Sequence, residues 1–245
     1  MHNKHHATPQ KIKFDLDLDT TPLVAFFDRA VESNRSRPWS PLWLRFQAYS
    51  FVPLTAGVIS MLFYTFYLHP RKAIRESNLW EIVCMISCHV LRPILITVVS
   101  GGSYSFGQAY LFHMACMWLS YVYLFGHFSL SHTFTPTVDE DENPNWVQYA
   151  VEHTVNIEPE NPVVSWIMGY LNCQIEHHLF PQMPQYRQPE LSDRIKQFCL
   201  KWNLQYQSVG YFEAWRLMLG NLNSVGRHYY DHGIDAKRMM GGKEE

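Results

Sequence analysis

Two long runs without a charged residue limit what this 245-residue chain can fold into. One covers Phe46 to Leu68, 23 residues, and the other Phe106 to Leu130, 25 residues. A helix that crosses the hydrocarbon core of a bilayer needs roughly 20 apolar residues, so both are long enough to span. A third stretch between them, Leu79 to Val99, is apolar but carries Glu81, Arg92 and Pro93. It ranks below the other two and reads as partial or interfacial. The competing reading for all three is a set of buried helices in a large soluble α-helical protein.

Composition favours the membrane. Charged residues make up 17 % of the chain and aromatic residues 15 %, with 8 Trp, 14 Tyr and 15 Phe. Amphipathic rings collect where a bilayer meets water. A mean hydropathy of −0.20 is too low for spanning helices alone, so polar parts of some size are expected as well. The formal net charge of −2, with no dominant basic patch, removes nucleic acid as a partner. The five cysteines, Cys84, Cys88, Cys116, Cys173 and Cys199, read as free and mostly buried thiols. An odd count without C-x-x-C fits a reducing or membrane setting.

The flanks are polar. Residues 1–45 hold an acidic alternation, "FDLDLDTTP", and a basic stretch around Arg35 and Arg37. Residues 133–165 are acidic and contain proline, as a surface loop would. "LSDRIKQFCLKW" sets Leu191, Ile195, Phe198, Cys199 and Trp202 on one face, an amphipathic helix that would pack into a polar cap. The final "MGGKEE" reads as a frayed end.

Two short segments share one spacing. His2, His5 and His6 in "HNKHH" follow H-x-x-H-H, and Gln174, His177 and His178 in "QIEHH" follow Q-x-x-H-H. On a helix these positions share a face, as metal ligands require. A single histidine pair is more often a surface or core pair, but a repeat of the pattern shifts the balance to metal. The set is all imidazole, which suits Zn, Cu, Fe and Ni. Five histidines exceed one tetrahedral site, so a dinuclear centre fits the count better. For both boxes to build one site, the chain between them must cross the membrane an even number of times. That favours the two charge-free runs as spans, with Leu79–Val99 against the membrane on the far side. It also puts the basic "RKAIR" at 71–75 on the non-cytosolic side, against the positive-inside tendency.

The other histidines can be ranked. His127 and His132 lie at the end of the last apolar run. Five residues apart, they would point about 140° away from each other on a helix, so one of them, not both, is a ligand candidate. His113 is set back about 21 Å along a helix and reads as a buried polar residue with a partner. His69 and His89 read as structural, and His153 as solvated. His228 and His232 have i, i+4 spacing near the C-terminus but no second box beside them. "DLDLDT" fails as a calcium loop, because loop positions six and twelve, counted from Asp15, are Thr20 and Phe26 where glycine and glutamate are needed. It reads as a solvated acidic face.

"HNKHHATPQK…DLDLDT" resembles the second histidine box of front-end fatty acyl desaturases, and "GYLNCQIEHHLFPQMP" resembles their third, in which glutamine takes the first position. The similarity runs from residue 2 to about residue 232 and is nearest to Δ5-type enzymes. It implies an all-α integral membrane di-iron desaturase fold over residues 1–245. Its parts would be a second box at 2–6, a membrane region at 46–130, a third box at 174–178 and a cytosolic helical cap at 179–245. By position, His2, His5, His6, His127, His177 and His178 would be metal ligands, with no catalytic residue beyond them. Gln174 would ligate weakly or order a water, and His132 is an additional histidine. Gly126 stands where the family has asparagine. "MPQYRQ" after the third box departs from the family's commoner sequence, which would affect substrate or partner contacts and leave the ligands alone.

The resemblance further implies two iron ions, a fatty acyl-CoA or acyl-lipid substrate, and electrons from cytochrome b5 and its NADH-dependent reductase. The setting would be the endoplasmic reticulum membrane, with the boxes facing the cytosol. The reaction would place a double bond on the carboxyl side of an existing one, reducing oxygen to water. A first box, H-[DE]-x-x-H, and an N-terminal cytochrome b5 domain do not occur in the sequence. The expectation is therefore a C-terminal half, as a fragment, incomplete gene model or truncated isoform, inactive alone. The rivals are a sphingolipid desaturase or hydroxylase of the same superfamily and a non-catalytic membrane metal-binding protein.

Overall fold

The computed structural model describes residues 2–15, 17–18, 23–28, 31 and 40–232, without the side chains of His2, Asn3, Pro41 and His232. The basic stretch at Arg35 and Arg37 and the final "MGGKEE" lie outside the described residues. The chain is mostly helical. In order come α1 (His2–Ala7), α2 (Leu42–Arg75), α3 (Leu79–Val99), α4 (Phe106–Ser129) and α5 (Trp146–Glu152). Strand β1 (Asn156–Ile157), α6 (Pro162–Ile167), α7 (Gln174–Leu179) and a 3-10 turn (Gln185–Leu191) follow. The last elements are α8 (Ser192–Lys201), β2 (Ser208–Val209) and α9 (Tyr211–His232). They form two compact units, one of residues 1–49 with 127–245 and the other of residues 50–126.

The second unit holds most of α2, α3 and α4, three helices long and apolar enough to cross a membrane. Leu79–Val99, ranked lowest from its charges, is the most apolar of the three and the least covered by protein. Glu81, one of its two charges, sits at the first turn, held by the Asn78 cap and by His69. Large apolar side chains point outward, with Leu111 70 % and Val98 67 % exposed, as lipid-facing helices require. Cys84 and Cys116 are exposed on the same helices, whereas Cys173 and Cys199 are buried, so "mostly buried" holds only outside the apolar helices. Three wide-turn π-helical stretches, Phe51–Ile59, Tyr64–Leu68 and Ser87–Leu91, fall at or just before Pro53, Pro70 and Pro93. Proline lacks the N–H that a regular helical ladder uses, and the register widens there.

Few polar groups join these helices. His89 Nδ1 lies 3.2 Å from His113 Nε2, so His113 is the buried, partnered residue its position suggested. Thr65 and Tyr121 hydroxyls are 3.1 Å apart, and Trp118 Nε1 donates to Pro53 O at 3.0 Å. Gly57 makes that last approach possible, because a Cβ there would lie 2.3 Å from Trp118 Nε1. Gly57→Val is expected to cost about 1–3 kcal/mol of stability through overpacking. Gly107→Ala, with open space around it, should be neutral or slightly stabilising. Thermal unfolding in detergent checks both.

The first unit has two small cores. Ala150 and Val151 of α5 pack with Ile175 and Leu179 of α7 and Ile195 and Cys199 of α8. Ala25, Val31 and Leu44 pack with Val225 and Tyr229 of α9. Gln47 is fully buried beside the second core, where it bonds both backbone groups of Ala25 and donates to Leu222 O. On α8 only part of the expected apolar face is covered. Ile195 and Cys199 are buried, while Phe198 is 45 % and Trp202 61 % exposed, their rings 6.4 Å apart.

The region 133–165 is not a surface loop. It contains α5 and β1, and Thr133, Thr135, Val138, Val155 and Ile157 are buried. Strand β1 pairs in parallel with β2, Asn156 opposite Ser208 and Ile157 opposite Val209. His153 is buried too, its Nδ1 donating to Pro136 O at 2.8 Å, which corrects its reading as solvated.

Candidate metal centre

The H-x-x-H-H segment lies on α1 and the Q-x-x-H-H segment on α7, each a single short helix. The two helices meet. His6 and His177 ring centroids are 4.6 Å apart, His6 and His178 4.5 Å, and His5 and His178 4.9 Å. His132 joins them at 4.7 Å from His5 and 5.0 Å from His178. Five imidazoles therefore form one contiguous cluster. Ring nitrogens of His5, His132 and His178, all buried, lie within 4.8 Å of one another, as a shared metal ion would require.

Backbone pairing holds the cluster in place. Ile12 N donates to Val138 O at 3.0 Å and Val138 N to Gln10 O at 3.1 Å, tying the segment after α1 to the segment after α4. The Gln10 amide donates to Thr135 Oγ1 at 2.6 Å and to His132 O. Thr135 Oγ1 in turn donates to His153 O. These polar anchors explain why an acidic, proline-containing region folds inward.

The hydrogen bonds fix the tautomers. Both Asp15 oxygens lie 2.9–3.0 Å from His5 Nδ1, and Gln10 N donates to Asp15 Oδ2 at 2.9 Å. His5 thus carries its proton on Nδ1 and offers Nε2, the carboxylate–histidine pairing that orients metal ligands. Asp15 is buried, not part of a solvated acidic face. Gln174 Oε1 lies 3.3 Å from His132 Nε2 and its amide donates to Leu171 O. His132 is then protonated on Nε2, and its buried Nδ1 has no partner. Both ring nitrogens of His178 are likewise buried without a partner. A buried imidazole with two unsatisfied nitrogens is a costly arrangement unless something else binds there, and a metal ion fits. Burial first, and neighbouring imidazoles second, hold the His132 and His178 pKa values well below the usual 6.5. Both rings are therefore neutral near pH 7, the form that ligates.

Gln188 lies 3.2 Å from His177 Nδ1 through its amide nitrogen, and its Oε1 is buried without a partner. Turning that amide over would pair its oxygen with His177 Nδ1–H and free Nε2 to ligate. The "MPQYRQ" segment therefore touches a box histidine directly through Gln188.

His127 ends α4 elsewhere. Its Nε2 is 2.9 Å from the Tyr211 hydroxyl and its ring 6.2 Å from Trp215, and the three-imidazole group among the described residues does not include it. His2 opens α1, and its side chain lies outside the described residues.

Glu176, between the box residues Gln174 and His177, points the other way into a buried polar knot. Its carboxylate accepts from Asn156 Nδ2 at 2.7 Å and from the Tyr206 hydroxyl at 3.0 Å. Asn156 Oδ1 accepts from Ile175 N at 2.9 Å. Burial raises the Glu176 pKa, partly offset by the Asn156 bond. The knot joins α7 to the β1–β2 ladder. Spacing alone gave no signal for it, because its members, from Asn156 to Tyr206, are spread over fifty residues and share no motif. Asp15→Asn should leave the fold intact and lower metal affinity about 10–100-fold, read by competition with a chromophoric chelator.

A family model described as "Fatty acid desaturase" matches residues 1–210. An acyl-lipid (8-3)-desaturase of Rebecca salina is 41 % identical over 91 % of this chain and 51 % of its own length. An acyl-lipid (8-3)-desaturase of Thraustochytrium sp is 37 % identical over 97 % of this chain and 53 % of its own. A Δ8-fatty-acid desaturase of Arabidopsis thaliana is 23 % identical over 91 % of this chain. The chain spans about half the length of these relatives. No solved structure matches it.

Proposed function

Because the chain belongs to the fatty acid desaturase family, an oxidoreductase family, we propose that it supplies the histidine cluster of a membrane enzyme that desaturates polyunsaturated acyl chains. The substrate would be an acyl lipid, as the names of two relatives suggest. The double bond would enter on the carboxyl side of an existing one, with oxygen as oxidant and electrons from cytochrome b5 and its NADH-dependent reductase. The enzyme would sit in the endoplasmic reticulum membrane with its boxes toward the cytosol.

One observation carries this reading. Five imidazoles from three separate segments converge, and one of them, His178, is buried with both nitrogens unsatisfied. His5, His6, His132, His177 and His178 would hold a di-iron centre, with His2 as a further ligand on the strength of the H-x-x-H-H spacing. His132 replaces His127 in this set, since His127 is engaged by Tyr211. Gln174 supports His132 rather than ligating. When bound, iron supplies the oxidising power that unactivated C–H bonds need and no side chain has. The chain's own part is to keep the imidazoles neutral, to fix their tautomers through Asp15, Gln174 and Gln188, and to keep water from the buried rings.

Two measurements test the reading. Elemental analysis of protein purified from iron-replete cells should find iron. Zinc at about one equivalent without iron would defeat the di-iron assignment. Extended to the full length of its relatives, with a first box, and expressed in yeast fed defined polyunsaturated acids, the protein should yield products with one added double bond. Hydroxylated or sphingoid products would assign it to another oxidative reaction.

A further inference from the structure

The spanning unit contains a groove that the cluster does not use. It has a volume of about 420 Å³ and lies between α2 and α4. That is the size of an ordinary small-molecule site, roughly 300–1,000 Å³. Its wall is apolar and aromatic. Tyr64, Leu68, Tyr121, Leu124 and Phe125 line it, and the Tyr121 and Phe125 rings stack at 5.8 Å. The Thr65 hydroxyl, 3.1 Å from that of Tyr121, satisfies the polar end of the ring, so the wall presents carbon.

One end differs. Lys72 lines it, one turn before the end of α2 at Arg75, and its ammonium has no hydrogen bond or ion pair among the described residues. Arg71, whose guanidinium donates to the Tyr67 hydroxyl, and Arg75 lie on the same turn, and with Glu76 capping it the segment 71–76 keeps a net positive charge. No carboxylate lines the groove, and Glu81, the nearby acid of α3, is engaged by His69 and Asn78. From Lys72 to Tyr64 the groove descends about 12 Å along the helix, from its charged end into its apolar section. A cation at the end of a spanning helix, above an aromatic slot, has the shape and charge of a phospholipid seat. The phosphate would meet Lys72, and an acyl chain would lie along Tyr64, Leu124 and Phe125.

We propose that the groove between α2 and α4, closed by Lys72, binds one bilayer phospholipid with an anionic headgroup. The bound lipid fills the gap left between the two helices beyond their contacts at Trp118 and Tyr121. This inference rests on the three candidate spans and is independent of the desaturase reading.

The chain in micelles containing equal amounts of phosphatidylglycerol and phosphatidylcholine tests it by native mass spectrometry. The expected result is one retained phosphatidylglycerol per chain, favoured over phosphatidylcholine by about fivefold, the share of one lysine near a charged surface. Lys72→Gln, an exposed change that leaves packing alone, should bring the two lipids to parity. Leu124→Trp, which fills the slot, should remove both. Equal retention of the two lipids by the parent chain would overturn the proposal. So would a Lys72→Gln chain that keeps the preference, or a Leu124→Trp chain that retains lipid as before.

Discussion

His132→Ala and His178→Ala each lower metal affinity by more than about 100-fold, beyond the 10–100-fold typical of losing a supporting partner. His127→Ala leaves affinity within about twofold and costs roughly 1 kcal/mol of stability through its lost bond to Tyr211. The contrast follows from position. His132 and His178 lie in the buried group with unpartnered nitrogens, and His127 bonds a tyrosine of α9. Titration with iron(II) or cobalt(II), with bound metal counted after desalting, reads the difference. Loss of metal in His127→Ala with retention in His132→Ala would return the ligand role to His127.

Asn156→Leu is the most destabilising single change expected outside the cluster, on the order of 3–5 kcal/mol. It strands Ile175 N, removes one of two donors to the buried Glu176 carboxylate and leaves Tyr206 a single partner. The loss should depend on pH with a definite sign. The Glu176 pKa is raised in the fold, so its protonated form is the one that folding favours, and its stability contribution falls as pH rises above the usual carboxylate range. Without the Asn156 donor that pKa rises further. The deficit of the variant relative to the parent should then be larger at pH 8 than at pH 5. Denaturant unfolding at the two values decides this; an equal deficit at both would mean that Glu176 is not ionised in the parent.

The helices of the spanning unit were legible because a charge-free run of sufficient length has few other fates. The two boxes were legible because i, i+3, i+4 spacing is a property of the helix alone. What escaped depends on where helices stop and what lies across from them. The reading that only one of His127 and His132 is a candidate assumed that α4 continues through both, but it ends at Ser129, and the turn beyond it carries His132 to the cluster. Asp15 sits in a period-two acidic pattern that looks solvated, yet one of its carboxylates is buried against a histidine ten residues back. The acidic region 133–165 hides Thr135, His153 and Asn156, whose polar groups are spent on neighbouring backbone and side chains. Such pairings are set by tertiary folding and leave no local periodicity.

The first unit is assembled from the two ends of the chain, with residues 50–126 between them. Closing so long an intervening segment adds little equilibrium cost, about 0.6 kcal/mol for each doubling of length. Its effect is on timing. During synthesis His5 and His6 are made before the three apolar helices, and α7 only after them. The histidine cluster is thus completed only once α7 has been made, and an ion bound before that would lack His177 and His178. Metal retention would then require synthesis past residue 178, and chains halted before it would be unable to hold the ion.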